Sequence, residues 1–200
     1  VLLPRRMWAG GELEFLAPLH MGDSVQRSSR IRDIAWKTGK SGALCFVTVT
    51  HEYATARGIA LREAQSIVYR PAAVGPAAPP APRDPAPRFD AEWQVDVNSV
   101  TLFRYSALTF NGHRIHYDLS YAKAEFYPDL VVHGPLQATL LLNLAASLGK
   151  GVPRRFSYRG ISPATGAQTL RVGAKTRGSG TDLSLLSEAG CLTMTGLAEW

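Results

Sequence analysis

Three side chains within six residues carry the means for proton handling. Asn111, His113 and His116 stand in Tyr105-Ser-Ala-Leu-Thr-Phe-Asn-Gly-His-Arg-Ile-His-Tyr-Asp118. His133-Gly134-Pro135 follows about seventeen residues later and opens a strongly apolar stretch. An imidazole titrates close to working pH and can serve as a base. A backbone N–H at a helix N-terminus can stabilise a developing oxyanion. A base followed by such a donor suits water chemistry at a carbonyl or thioester. Read for structure alone, the same stretch is a polar loop ahead of a buried helix.

These residues need elements to position them. The 200 residues suffice for one large domain or two small ones, and a hydrophobic content of 46% supports a real core. The formal charge of +6 points to an anionic partner such as nucleic acid, a membrane surface or a phosphorylated small molecule. No run of Lys/Arg is interleaved with aromatics, so nucleic acid is the weaker choice. Most of the basic residues are arginines, which suit phosphate and carboxylate. Cys45 and Cys191 lie far apart, each in an alternating segment, with no CxxC pair. That excludes a zinc ribbon and predicts reduced, buried thiols in the cytosol. Residues 136–148 are too short for a membrane span and include Gln137 and Asn143. No signal peptide is visible, and the start at Val1 without Met suggests a missing upstream segment.

Residues 71–88, PAAVGPAAPPAPRDPAPR, read as an extended, semi-rigid linker. It divides the chain into residues 1–70 and 89–200. The first part reads as all-β, with strands over 11–16, 25–36, 43–54 and 59–69, although Leu61-Arg-Glu-Ala-Gln65 has a helical composition. A hairpin loop is expected at Lys37-Thr-Gly-Lys-Ser-Gly42. With one apolar face and no long helix, this sheet needs the second part, another subunit or an upstream segment against it. The second part reads as a strand at 94–97, a helix capped by Ser99 or Thr101 and running to Phe110, and a short helix over 119–126 ended by Pro128. A long helix over 134–148 follows, with Pro135 at N1 and Gly149 at C′, apolar nearly all round and so expected to be wrapped. Strands are then expected over 154–161, 168–176, 182–187 and 191–200. Pro4-Arg5-Arg6-Met7 is echoed by Pro153-Arg154-Arg155-Phe156, each leading into a short strand, a Pro, a Gly and a long strand. A duplicated sheet unit, the first copy lacking its central helix, explains the echo.

A buried helix wrapped by an antiparallel sheet is the hot-dog arrangement, an α+β fold. Asn111-Gly-His113-Arg114-Ile115-His116 resembles the Gly-Asp-x-Asn-Pro-aliphatic-His signature of the MaoC-like dehydratases, the type 2 enoyl-CoA hydratases. Asn111 then stands at the Asp, His113 at the Asn, Arg114 at the Pro and His116 at the His. His133-Gly134 resembles the segment that opens the family's central helix. With Pro-Arg-Arg-Met-Trp-Ala-Gly-Gly in the first half, the chain resembles the branch holding hydroxyacyl-thioester dehydratase type 2 and the mesaconyl-CoA and itaconyl-CoA hydratases. The resemblance covers nearly the whole chain. It implies a double hot-dog with a truncated first half.

The resemblance further implies a hydro-lyase that adds water to a trans-2-enoyl-CoA or removes it from a 3-hydroxyacyl-CoA. Catalysis falls to His116 as base, Asn111 as water-orienting amide and Gly134 as oxyanion donor. Asn111 departs from the family's Asp and cannot accept a proton, so the acid–base work weighs on His116. His113, Arg114, Tyr117, Arg154, Arg155 and Arg159 are the expected substrate-binding residues. The three arginines of residues 154–159, with Arg5 and Arg6 as repeat counterparts, would line the path of CoA, and Arg114 would meet the carboxylate of a dicarboxylic acyl chain. Arg104 and Tyr105 either line the pocket or pack, and Asp118 caps the helix after it or pairs with an arginine. His113 and His116 lack a third ligand, so no metal is expected. No cofactor is expected beyond the CoA of the substrate. The expected partners are that acyl-CoA and a second copy in a homodimer, with no nucleic acid and no membrane, in the cytoplasm. Two rivals remain: a hot-dog thioesterase, for which residues 136–148 offer no carboxylate, and a non-catalytic acyl-thioester-binding subunit, favoured by Asn111.

Overall fold

The computed structural model describes residues 3–39, 42–148 and 151–200. Among them, nine strands form one antiparallel sheet. These are β1 (Arg5–Phe15), β2 (Gln26–Gly39), β3 (Gly42–Thr55), β4 (Gly58–Arg70), β5 (Ala91–Val97), β6 (Arg155–Gly160), β7 (Gln168–Arg177), β8 (Gly180–Leu186) and β9 (Leu192–Glu199). Helices α1 (Ser99–Leu108), α2 (Leu119–Ala124) and α3 (Gly134–Ser147) all fall between β5 and β6. The strand order is β2-β3-β4-β1-β6-β9-β8-β7-β5.

That order contains the repeat. Reading outward from the centre, β1-β4-β3-β2 on one side matches β6-β9-β8-β7 on the other. The two copies meet at β1 and β6, which run antiparallel with Gly10 opposite Arg159. Gly10 stands six residues after Pro4 and Arg159 six after Pro153, so equivalent residues pair across a local two-fold axis. A Cβ on Gly10 would stand 2.5 Å from the Tyr158 carbonyl oxygen, so this junction requires glycine. The architecture is the expected double hot-dog. The first copy has, among the described residues, four strands and no helix.

Helix α3 lies across β6–β9 with Leu136, Ala138, Leu141, Leu144 and Ala145 buried against Phe156, Leu183, Leu185, Met194 and their neighbours. The expectation of burial nearly all round needs correction. Thr139, Asn143 and Ser147 form an exposed polar stripe at i, i+4 and i+8, so the helix is covered on one side. The same sheet face is open in the first copy, where Ile31, Ile34 and Trp36 are exposed, Trp36 at 67%. The first part therefore joins the second edge to edge through β1 and β6.

Other local expectations shift for identifiable reasons. Residues 61–65 are strand despite their composition, because β4 is hydrogen-bonded on both sides, to β3 and β1. The cap of α1 is Asn98, whose Oδ1 accepts the Thr101 N–H at 3.0 Å, rather than Ser99 or Thr101. α1 ends at Leu108, since Phe110 turns to φ 51°. α2 ends at Ala124, ahead of Phe126 with φ 65°, and not at Pro128. Asp118 caps α2 as expected, accepting the Tyr121 N–H at 3.0 Å. Gly149, and Lys40 and Ser41 of the expected hairpin loop, lie outside the described residues. The Pro/Ala segment runs along the β8–β9 turn, where the Arg83 N–H donates to the Gly190 carbonyl at 3.0 Å and Pro82 pairs with Cys191.

Candidate active site

The end of α1 builds the site loop. The Asn111 N–H donates to the Ser106 carbonyl at 2.9 Å, and the Asn111 side-chain oxygen accepts the His113 N–H at 3.0 Å. This short turn delivers the chain into a 3₁₀ turn over Arg114–His116, which drives Ile115 and His116 into the core. The Tyr117 hydroxyl donates to the Gly112 carbonyl at 2.8 Å and closes the loop. The segment before α3 is tied to that turn, since the Val131 N–H donates to the Ile115 carbonyl at 2.9 Å.

The result is a row of three imidazoles. His116, 7% exposed, places Nδ1 at 2.7 Å from the Val131 carbonyl oxygen. A carbonyl only accepts, so Nδ1 carries the proton and Nε2 keeps its lone pair. His116 stacks on His133 with centroids 3.7 Å apart and planes at 16°. His113 meets His116 edge-on, at 5.6 Å and 86°. His133 is fully buried, its Nε2 is 2.8 Å from Ser106 Oγ, and its Nδ1 is buried without a partner among the described residues. The Tyr105 ring borders His133 at 4.9 Å.

Burial sets the protonation of this row. It pushes His116 down to about 4, with the Val131 bond opposing and His113 adding to the shift. It pushes His133 down to about 3, with the neighbouring imidazoles adding. Partial burial also lowers His113, opposed by Glu125 and assisted by Arg6 and Arg5. At neutral pH His116 and His133 are uncharged, and His116 Nε2 is a free base.

Gly134 follows His133 and is the first residue of α3. Among the described residues its N–H has no acceptor, and Pro135 has no N–H to offer. The positive end of α3 therefore opens beside the stacked imidazoles. His113 and His116 come together with His133, and Gly134 follows His133 in the chain. Asn111 lies in the same loop, its oxygen engaged with the His113 N–H and its amide NH₂ without a partner among the described residues.

The expected arginines do not join this cluster. Arg114 turns to Asp118, with Nη2 at 2.6 Å from Oδ2, and its guanidinium lies 4.6 Å from the Tyr121 ring centre. Arg155 and Arg159 project from the sheet face opposite α3, Arg155 towards Glu14 at 3.7 Å. Arg159 there lines a broad concavity with Arg32, Lys37, Glu12 and Asp182, which mixes charges of both signs and holds none of the three histidines. Arg154 is exposed just before β6. The first half instead contributes Arg5, which is buried, ion-paired to the Glu125 carboxylate, hydrogen-bonded to the Glu125 carbonyl, and 5.5 Å from the Tyr127 ring centre. Sequence reasoning missed a separate role for His133 and the Arg5–Glu125 pair. The one available signal was a histidine at an N-cap, where Ser, Thr, Asp or Asn is usual. Among the described residues no group of three or more His, Cys, Asp or Glu could hold a metal. No helix there is long and apolar enough to cross a membrane.

The fold is thus a hot-dog sheet with a neutral imidazole near the N-terminus of its central helix. Residues 1–166 match the family described as hydroxyacyl-thioester dehydratase type 2, and the chain belongs to that family. It is 41% identical over 199 residues to the mesaconyl-C(4)-CoA hydratase of Chloroflexus aurantiacus, covering 98% of this chain and 70% of that protein. The MaoC-like dehydratase of Phytophthora capsici superimposes with a TM-score of 0.77 at 14% identity, over 98% of this chain and 72% of the other. A Mycobacterium tuberculosis protein with a double hot-dog fold superimposes with a TM-score of 0.63 at 14% identity, over 99% and 76%. These two share the fold.

Proposed function

We propose that this hydratase/dehydratase of CoA thioesters acts on a short, branched dicarboxylic enoyl-CoA of the mesaconyl-C(4) type. The observation that carries the chemistry is the His116 Nε2 lone pair beside the unpaired Gly134 N–H. In hydration His116 takes a proton from water as its oxygen bonds C3, the Asn111 amide orients that water, and Gly134 with the α3 dipole holds the thioester oxygen as it becomes enolate-like. The 41% identity to a mesaconyl-C(4)-CoA hydratase supports the acyl class. Arg6 and Arg154, both exposed and without an ion pair among the described residues, are the cations we assign to CoA phosphates or the acyl carboxylate. Free, buried Cys45 and Cys191 support a reducing cytoplasm, and the open apolar face at Ile31, Ile34 and Trp36 supports a homodimer.

A panel of enoyl-CoA substrates tests the reading. Loss of conjugated enoyl absorbance without release of thiol is expected, fastest with mesaconyl-C(4)-CoA. Thiol release would identify a thioesterase, and neither signal would identify a binding subunit. A complex with an acyl-CoA should place the thioester oxygen within about 3 Å of the Gly134 N–H.

A further inference from the structure

Hydration of an enoyl thioester moves two protons, one away from water and one onto C2. His116 accounts for the first. Asn111 cannot supply the second, because an amide does not exchange a proton at useful rates and its oxygen is engaged in the loop. His133 cannot reach a substrate, since it is fully buried behind His116. His113 is the imidazole on the open side of the row, exposed, with its ring set edge-on to His116 at 5.6 Å. Beyond it, the end of α2 brings Glu125, which Arg5 of β1 grips by its carboxylate and by its carbonyl. This grip joins residues 120 positions apart and fixes a carboxylate on the His113 side of the site.

We propose that His113 is the second proton-transfer group, donating to C2 in hydration and removing the C2 proton in dehydration, with Glu125 as its positioning residue. The inference rests on the hydratase reading above. In hydration an O–H bond of water breaks, its proton goes to His116 Nε2, and the oxygen bonds C3. The C2=C3 π electrons move to form the enolate on the thioester oxygen. That enolate collapses and takes a proton from the His113 imidazolium to form the C2–H bond. His116 has gained one proton and His113 has lost one, and transfer between the two rings through water restores both. The groups facing His113 are Glu125 at the end of α2, Arg5 and Arg6 on β1, His116 in its own turn, and His133 ahead of α3. Burial disfavours the imidazolium, Glu125 favours it, and Arg6 and Arg5 disfavour it. The Arg5 grip tempers Glu125 and keeps its charge in place.

The test uses the full chain with mesaconyl-C(4)-CoA, following hydration against pH and the exchange of C2 hydrogen into deuterated water from the hydrated product. Wild type should show an alkaline limb set by His113, with turnover falling above its pKa. His113→Ala and His113→Gln should each lower hydration and C2 exchange by about a hundredfold with KM nearly unchanged, and should abolish that limb. His113 is exposed, so both variants should fold, as circular dichroism would show. Glu125→Gln should shift the limb to lower pH, because it removes the charge that favours the imidazolium. Folded His113 variants with wild-type exchange and an unchanged pH profile would overturn the proposal. A wild type that hydrates no enoyl-CoA at all would strike the functional reading instead.

Discussion

Acid should unfold this protein through its buried histidines before its carboxylates are involved. His116 and His133 titrate near 6.5 in the unfolded chain but are held to about 4 and about 3 in the folded one, chiefly by burial. As pH falls below about 6.5 the unfolded state takes up protons that the folded state refuses, so stability is intact above that pH and is lost below it. Each group contributes a slope of about 1.4 kcal/mol per pH unit within its window, so the pair gives roughly 3 kcal/mol per unit near pH 5. Two such units approach the whole stability of an ordinary domain, about 5–15 kcal/mol. The carboxyls held low in the fold act in a separate range. Asp23 is held to about 2 by Arg57, and Glu92 and Asp118 are lowered by Arg171 and by the Tyr121 N–H with Arg114. Their contribution is lost as pH falls below about 4.5 for Glu92 and below about 4 for the two aspartates. Urea unfolding across the range from about pH 7 to about pH 4.5 should show the histidine slope. His133→Asn should lower stability at neutral pH and reduce the slope by about half, because one of the two titrating groups is gone. Stability that stays flat over this range, or a slope unchanged in the variant, would refute the claim that both imidazoles must remain neutral.

His116→Ala should lower hydration by at least about a hundredfold while the circular dichroism spectrum is retained, as expected when a general base is lost. Asn111→Asp should retain or raise turnover, and Asn111→Ala should be less damaging than His116→Ala, both read from initial rates with one enoyl-CoA. A dead Asp variant beside an active Ala variant would show that Asn111 does not occupy the carboxylate position of the signature. Leu141→Ala, at a fully buried position of α3, should cost about 2–5 kcal/mol in denaturant unfolding, since the sheet beneath cannot close over the space.

Much of this molecule was legible in short stretches of sequence. Pro135 and the apolar run after it marked α3, Asp118 marked the start of α2, and the Pro-Arg-Arg echo marked the two copies that meet at β1 and β6. The positions of His116 in a motif loop and of Gly134 at a helix start were likewise readable, because both are local features. Where a signal was misread, a competing local partner or a neighbouring strand decided the outcome. Asn98 displaced Ser99 as a cap, and hydrogen bonds from β3 and β1 held residues 61–65 extended against their composition. The arginines assigned to substrate illustrate the same limit. Arg114 found Asp118 four residues away, while Arg155 and Arg159 fell on the far face by the strict alternation of β6. Apart from a histidine at an N-cap, the His116–His133 stack and the Arg5–Glu125 grip had no sequence signature. Each depends on how a sheet of nine strands brings distant segments together, and that closure is set by the summed burial of the core rather than by any residue near the site.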